Sequence, residues 1–131
     1  MVLLILAVSV GVAWPGAAQG WDQLQVVQAR EEVLALFSRA RMEAVSRGGA
    51  GVLVLPAQGR VLLLDGVLVL AQVELDPRGV DLTAQGNPGA TIRFRFDSMG
   101  LGRVASRTLW LSRGEASSRI VISSFGRATR Q

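Results

Sequence analysis

The chain contains no cysteine, no histidine and no lysine. Without cysteine there is neither a disulfide framework nor a thiolate metal site. With histidine and lysine also missing, the usual general bases and activated nucleophiles are absent, which makes an enzyme the least expected class. All 14 positive charges are consequently arginine, set against 10 acids. A further absence is local: no charged side chain occurs in residues 1–21. Length adds its own limit, because 131 residues leave room for one small domain beside that uncharged stretch.

What fills residues 1–14 is almost wholly Val, Leu, Ile and Ala. A hydrocarbon core requires about 20 apolar residues as helix, with about 17 to 25 the usual range, so residues 1–18 sit at its short edge. Residues 1–21 are therefore read as the transmembrane or filament-core part of a helix. From Asp22 the pattern changes to Leu24, Val27, Leu34, Phe37 and Ala44, with Val33, Leu36 and Ala40 beside them. Recurrence at three and four predicts an amphipathic continuation over residues 22–47, charged on its other face, with Glu43 four before Arg47. Gly48-Gly49-Ala50-Gly51 ends it, since glycine accepts the left-handed geometry of a C-terminal cap. Pro15-Gly16 and Gly20 are expected to kink or loosen the helix. A secretory signal peptide is the rival reading, because AWPGAAQG offers small residues at a cleavage site. Against it stand the missing basic n-region and the continuation of the apolar face beyond Trp21.

Residues 51–131 read as an all-β unit. GVLVLPAQGRVLLLDGVLVLAQVEL divides into apolar runs at residues 52–55, 61–64 and 67–73, separated by Gln58-Gly59 and Asp65-Gly66. Asp65-Gly66 predicts a hairpin with both central residues at positive φ, and an antiparallel meander follows. Because these runs are apolar on both faces, the sheet is expected to meet the helix on one side and a second sheet on the other. Asp76-Pro77-Arg78-Gly79 and Gln85-Gly86-Asn87-Pro88-Gly89 are turns, with a short strand over residues 80–83 between them. Ile92, Phe94 and Phe96 alternate with Arg93 and Arg95, placing the arginines outward. Strands follow over residues 108–112 and 118–124, and residues 125–130 form a polar, basic tail. Many short strands between turns indicate two packed sheets.

Charge is uneven along the chain. Residues 1–77 hold five arginines and seven acids, a balance of −2; residues 78–131 hold nine arginines and three acids, a balance of +6. Arg93, Arg95 and Arg119 on outward strand faces, with Arg127 and Arg130 on the tail, form the candidate set for tracking a phosphate backbone. The plainer reading is that arginine keeps exposed strand faces soluble. Trp110 is expected to be buried in so small a domain, with stacking on a base or a neighbouring subunit as the alternative. Glu74, Asp76 and Asp81 are the nearest thing to a hard-cation cluster, although acids around a Pro-Arg-Gly turn are also ordinary solvated residues. The glycines at residues 48–51 are no phosphate loop, since neither Lys-Ser nor Lys-Thr follows them.

The apolar opening LLILAVSVGVAWP, the helix ending SRARMEAVSRGG, the following GVLVLP and the late IVISSFGRATR together resemble the GspH/FimT family of type IV pilin-like proteins. The family's basic leader, its Gly-Phe or Gly-Met cleavage site and its Thr-Leu-x-Glu opening do not occur in these residues, so the sequence is expected to begin inside the helix. The resemblance implies an α+β, pilin-like fold: a long N-terminal helix packed on a C-terminal, all-antiparallel β-domain of two sheets. It implies a non-enzymatic minor pilin or pseudopilin of a type IV pilus or type II secretion system, anchored in the bacterial inner membrane. The β-domain would then be periplasmic before assembly, and the subunit would stand at the tip or base of the filament afterwards. Partners would be other pilins through the helix and membrane lipid, with no cofactor and no small-molecule substrate. Some family members are thought to bind DNA in natural transformation through a Gly-Arg-x-Arg stretch. Here Gly126-Arg127-Ala128-Thr129-Arg130 has one residue more between the arginines, so only Arg127 matches cleanly. A secreted β-protein released by signal-peptide cleavage is the third alternative.

Overall fold

The computed structural model describes residues 2–102, 106–125 and 127–130, and side chains from residue 20 onward. One helix, α1 (Val2–Arg47), runs without a break through Pro15, Gly16 and Gly20. Any kink or loosening at these residues therefore leaves the helix continuous. The apolar and membrane-spanning character assigned to residues 1–21 rests almost entirely on side chains outside the described residues. Among the described residues no helix is long and apolar enough to cross a membrane. At about 1.5 Å per residue, 46 residues make a rod far longer than the strands beside it.

Among the described residues the β-domain holds eight strands: β1 (Ala50–Leu55), β2 (Arg60–Asp65), β3 (Leu68–Glu74), β4 (Asp81–Ala84), β5 (Ile92–Phe96), β6 (Arg107–Arg113), β7 (Ala116–Ile122) and β8 (Ala128–Arg130). They form two four-stranded sheets, ordered β3-β2-β1-β5 and β4-β6-β7-β8, in which every pairing is antiparallel. Strand β5 joins the first sheet by crossing over to β1, with Val52 opposite Phe94.

The helix packs on both sheets, and all three bury their apolar faces in one core. Its buried stripe is Val26, Ala29, Val33, Leu36, Phe37, Ala40 and Ala44. Val33, Leu36, Phe37, Ala40 and Ala44 are buried as expected, whereas Leu24 is exposed, Val27 and Leu34 are only half-buried, and Val26 and Ala29 take the buried positions instead. The three alanines in the seam let the helix backbone come close to the sheets. Phe37 fills the centre and meets Phe94 edge to face, ring centroids 5.3 Å apart at 79°.

Two further expectations change. The first sheet buries one face only: Val52, Val54, Val61 and Leu63 point into the core, while Leu53, Leu62 and Leu64 are half-exposed on the other side. The second sheet therefore shares the helix-side core and leaves that outer face open. The β2–β3 turn is Gly66-Val67, with Asp65 paired to Leu68, and only Gly66 has positive φ, at 63°. Glycine at the first central position followed by a negative φ is the type II′ pattern, one residue along from the expected Asp-Gly turn. The tail is also more ordered than its composition implied, because Ala128–Arg130 pairs with β7 as an edge strand.

Candidate functional site

Strand directions give the domain two ends. Strand β1 leaves the helix C-terminus, so Ala50, Asp65, the Gly66-Val67 turn and Phe96 gather at what is termed here the distal end. Strands of six or seven residues, about 20 Å long, carry the chain back to the Asp76–Arg78 turn, Asp81 and the Gly114-Glu115 turn at the proximal end. That end lies against the lower part of the helix, where Arg113 Nε donates to Asp22 Oδ1 at 2.8 Å and Arg113 Nη1 donates to the Arg78 carbonyl.

Ion pairs hold the helix to the sheets along its length. Arg78 bridges to Glu32 at 2.6 Å, Arg130 to Glu31 at 2.7 Å, and Arg47 to Glu43 at 2.7 Å and Asp65 at 3.2 Å. Hydrogen bonds to Glu43 and then to Asp65 raise the Arg47 pKa above the ordinary arginine value, so it is cationic throughout the working range of pH. Arg30 is half-buried in the seam: Nη1 donates to Ser118 Oγ at 3.0 Å and Nη2 to Glu31 Oε1 at 3.1 Å, while the buried Nε has no partner among the described residues.

Among the described residues, six of the ten acids are seen in ion pairs, Glu74 with Arg60 within the first sheet and the others involving the helix or its contacts. Asp97 caps its own loop by accepting from the backbone N–H groups of Met99 and Leu101. Three acids remain without an ion pair among the described residues, namely Asp76, Asp81 and Glu115, and all three stand at the proximal end. Four arginine side chains likewise have neither ion pair nor hydrogen bond among the described residues: Arg93, Arg95, Arg107 and Arg127. Arg95 lies opposite Gly51, Arg107 opposite Ile122, and Arg127 follows the far end of β7, so these three are distal. Arg93 is one outward step below Arg95.

The five arginines singled out from the sequence do not gather on one surface. Arg93 and Arg95 share the outer face of the first sheet. Arg119 belongs to the second sheet, where its guanidinium lies 5.5 Å from the ring centroid of Trp110, its direct cross-strand partner. Arg130 is held by Glu31, and Arg127 stands in the turn before β8. Gly126, the first residue of the Gly-Arg stretch, lies outside the described residues. Trp110 is 38% exposed, contrary to the burial expected of it, because strand alternation turns Leu109 and Leu111 inward instead. Glu74, Asp76 and Asp81 do not converge: Glu74 pairs with Arg60, and no three acids among the described residues stand close enough to hold a cation.

The distal end carries features with no sharp sequence signal. A hollow of about 410 Å³ opens there, floored by Gly49 and Gly51 and walled by Leu64 and Asp65 on one side and Arg93 and Arg95 on the other. Beside it Val67 is fully exposed and Leu68 and Val69 largely so, and across the helix end Met42, Val45 and Met99 are exposed as well. Valine in the second turn position was the one local hint, since an apolar residue there has no core to face.

The fold has known relatives. Crystal structures of the type IV minor pilin FimU of Pseudomonas aeruginosa match in two crystal forms. One gives a TM-score of 0.63 at 18% identity, covering 81% of this chain and 87% of that one; the other gives 0.60 at 19%, covering 79% and 90%. The minor pseudopilin EpsH of the Vibrio cholerae Type 2 Secretion System matches with a TM-score of 0.60 at 14% identity, covering 82% of this chain and 96% of that one. At such identities the likeness establishes a shared fold. No curated protein matches by sequence. The family described as Type II transport protein GspH matches over residues 29–126, from the packed half of the helix to the turn before β8. With most of its length matched, the chain belongs to the GspH family of pilin-like proteins.

Proposed function

We propose that the protein is a non-enzymatic minor pilin or minor pseudopilin, a subunit of a type IV pilus or of a type II secretion pseudopilus. The observation that carries this reading is the disproportion of the helix. Among the described residues its core contacts begin at Val26 and its most N-terminal ion pair is at Asp22, yet the helix starts at Val2. Twenty helical residues precede Asp22 in the chain, about 30 Å at about 1.5 Å per residue, in a sequence with no charge. A helix of such composition needs lipid or other helices around it, because its apolar side chains would otherwise meet water. The mechanism is an exchange: the segment rests in the inner membrane, with the β-domain in the periplasm, and passes into a bundle of like helices as a filament assembles.

The test is fractionation of cells making the full chain, followed by alkaline extraction of the membranes. Retention in the membrane pellet, with an oxidation-dependent disulfide between Val12→Cys and a cysteine introduced into the N-terminal helix of a co-expressed pilin-type subunit, is the expected result. A soluble periplasmic product shortened near residue 20 would overturn the reading and favour a cleaved signal peptide.

A further inference from the structure

We propose that the outer face of the second sheet is a carbohydrate platform, on which Trp110, ringed by hydroxyl side chains, stacks against a flat, uncharged β-1,4-linked glycan chain. The platform belongs to the β-domain alone. It goes beyond the subunit reading and does not rest on it, because the same face exists whether the N-terminal segment is retained or cleaved.

Strand alternation builds this face. Leu82 of β4, Leu109 and Leu111 of β6 and Ile120 of β7 are buried in the core, so the residues between them turn outward. Cross-strand register then sets the outward residues in rows. Thr83, Trp110 and Arg119 lie side by side across β4, β6 and β7, and Asp81, Ser112 and Ser117 form the next row. Thr108, opposite Val121, stands on the other side of the tryptophan. Neighbouring strands are about 4.8 Å apart and alternate residues about 7 Å apart. Hydroxyls and one carboxylate therefore surround the indole within hydrogen-bonding reach of a sugar laid over it.

Tryptophan is the residue that a merely solvated strand face has no use for. Trp110 is 38% exposed, and a ligand that covers the ring removes that apolar surface from water. The Arg119 guanidinium, 5.5 Å from the ring centroid, braces the indole from the β7 side, so less ordering is left for a ligand to impose. The face of an aromatic ring carries partial negative charge, and the axial C–H groups of a β-linked pyranose carry partial positive charge, so the two stack. The equatorial hydroxyls of the sugar then point sideways, toward Thr83, Ser112 and Ser117. Those three side chains make no hydrogen bond of their own among the described residues.

Charge selects the class of ligand. On the outward strand positions of this face only Asp81 and Arg119 are charged, one of each sign. The first sheet's outer face carries Arg93 and Arg95, whereas this one offers a polyanion no net attraction. Asp81 has no ion pair among the described residues, and a free carboxylate accepts from two neighbouring sugar hydroxyls at once. An open sheet face suits a flat, extended chain that buries one side, and β-1,4 linkage gives pyranoses that ribbon shape.

The test is titration of the full chain, held in a detergent without a sugar headgroup, with cellohexaose and with chitohexaose, the glucose and N-acetylglucosamine forms of the ribbon. Saturable binding of at least one is expected in calorimetry, with amide shifts confined to β4, β6 and β7, and the comparison tells the two sugars apart. Trp110→Ala is expected to weaken binding at least about tenfold, and Trp110→Phe to keep part of it. Thr83→Val combined with Ser117→Ala removes two hydroxyls from the solvent side and is expected to weaken binding about fivefold at the parent melting temperature. That pair decides the matter if Trp110→Ala fails to fold. Absence of binding to both hexaoses at millimolar concentration overturns the proposal, as does binding that survives these substitutions. So does an oligonucleotide that shifts the same residues at physiological salt while neither hexaose does, which would assign the face to nucleic acid. Membrane retention is measured separately, so a face that fails here leaves the subunit reading standing.

Discussion

Replacing Phe37 by alanine tests the seam on which the whole domain depends. Its side chain is 1% exposed, sits on the helix face between two sheets and contacts Phe94 edge to face. Removing a buried phenylalanine side chain costs about 3 to 5 kcal/mol, combining lost transfer energy with the cavity left behind. A domain of about 100 residues loses about 4 to 8 °C of melting temperature per kcal/mol, so the expected fall is at least about 12 °C. Net stabilities of about 5 to 15 kcal/mol mean that one such change removes a large share of the total. The assay is thermal unfolding of the full chain in detergent, followed by the β-sheet circular dichroism signal. Phe37→Leu restores part of the volume and is expected to cost about 1.5 kcal/mol. Met42→Ala, on the same helix but 70% exposed, serves as the control and is expected to change stability by no more than about 0.5 kcal/mol. A Phe37→Ala melting point within about 4 °C of the parent, or one matched by Met42→Ala, would refute the assignment of the buried stripe.

Two other substitutions probe points where backbone or charge is constrained. Gly100 has φ of 77°, and a Cβ there would lie 3.1 Å from Val45 Cγ2 and 3.2 Å from the Arg41 carbonyl oxygen. Gly100→Ala is therefore expected to cost about 1 to 2 kcal/mol through left-handed strain, read as a lower denaturant midpoint. It also loosens the loop that Arg41 Nε holds through the Gly100 carbonyl, and faster amide exchange at Gly100 is the second readout. Arg30→Met keeps most of the apolar volume of a half-buried side chain while losing the Ser118 hydrogen bond and the Glu31 ion pair, and is expected to cost less than Arg30→Ala. Arg30→Ala leaves the volume empty and Ser118 without its donor, at a cost of about 1 to 3 kcal/mol in an unfolding titration.

Much of this protein was legible in one dimension, because periodicity is a local property. Alternation of Ile92, Phe94 and Phe96 with Arg93 and Arg95 determined strand β5 and its two faces. The glycines after Arg47 determined where the helix stops, and Gly48 does take positive φ, at 83°. The helix-plus-two-sheets class followed from the order of these signals, and the quoted motifs carried the family. Other features depend on what the folded chain brings alongside. The helix stripe was legible over Val33 to Ala44, but at its N-terminal end Val26 and Ala29 are buried where Leu24 and Val27 were expected, because which face meets the sheets there is decided by tertiary packing. Strand β8 looked like a loose polar tail, since its order comes from pairing with β7 and from Glu31, 99 positions away from Arg130. The second apolar face of the first sheet was expected to be covered, whereas tertiary packing put both sheets on the helix side and left that face open. Most of all, the sequence by itself determined that arginine exceeds acid, and by how much in each half. Only the tertiary structure decided which charges cancel, because pairing depends on distance in space; it left arginines toward one end and carboxylates at the other.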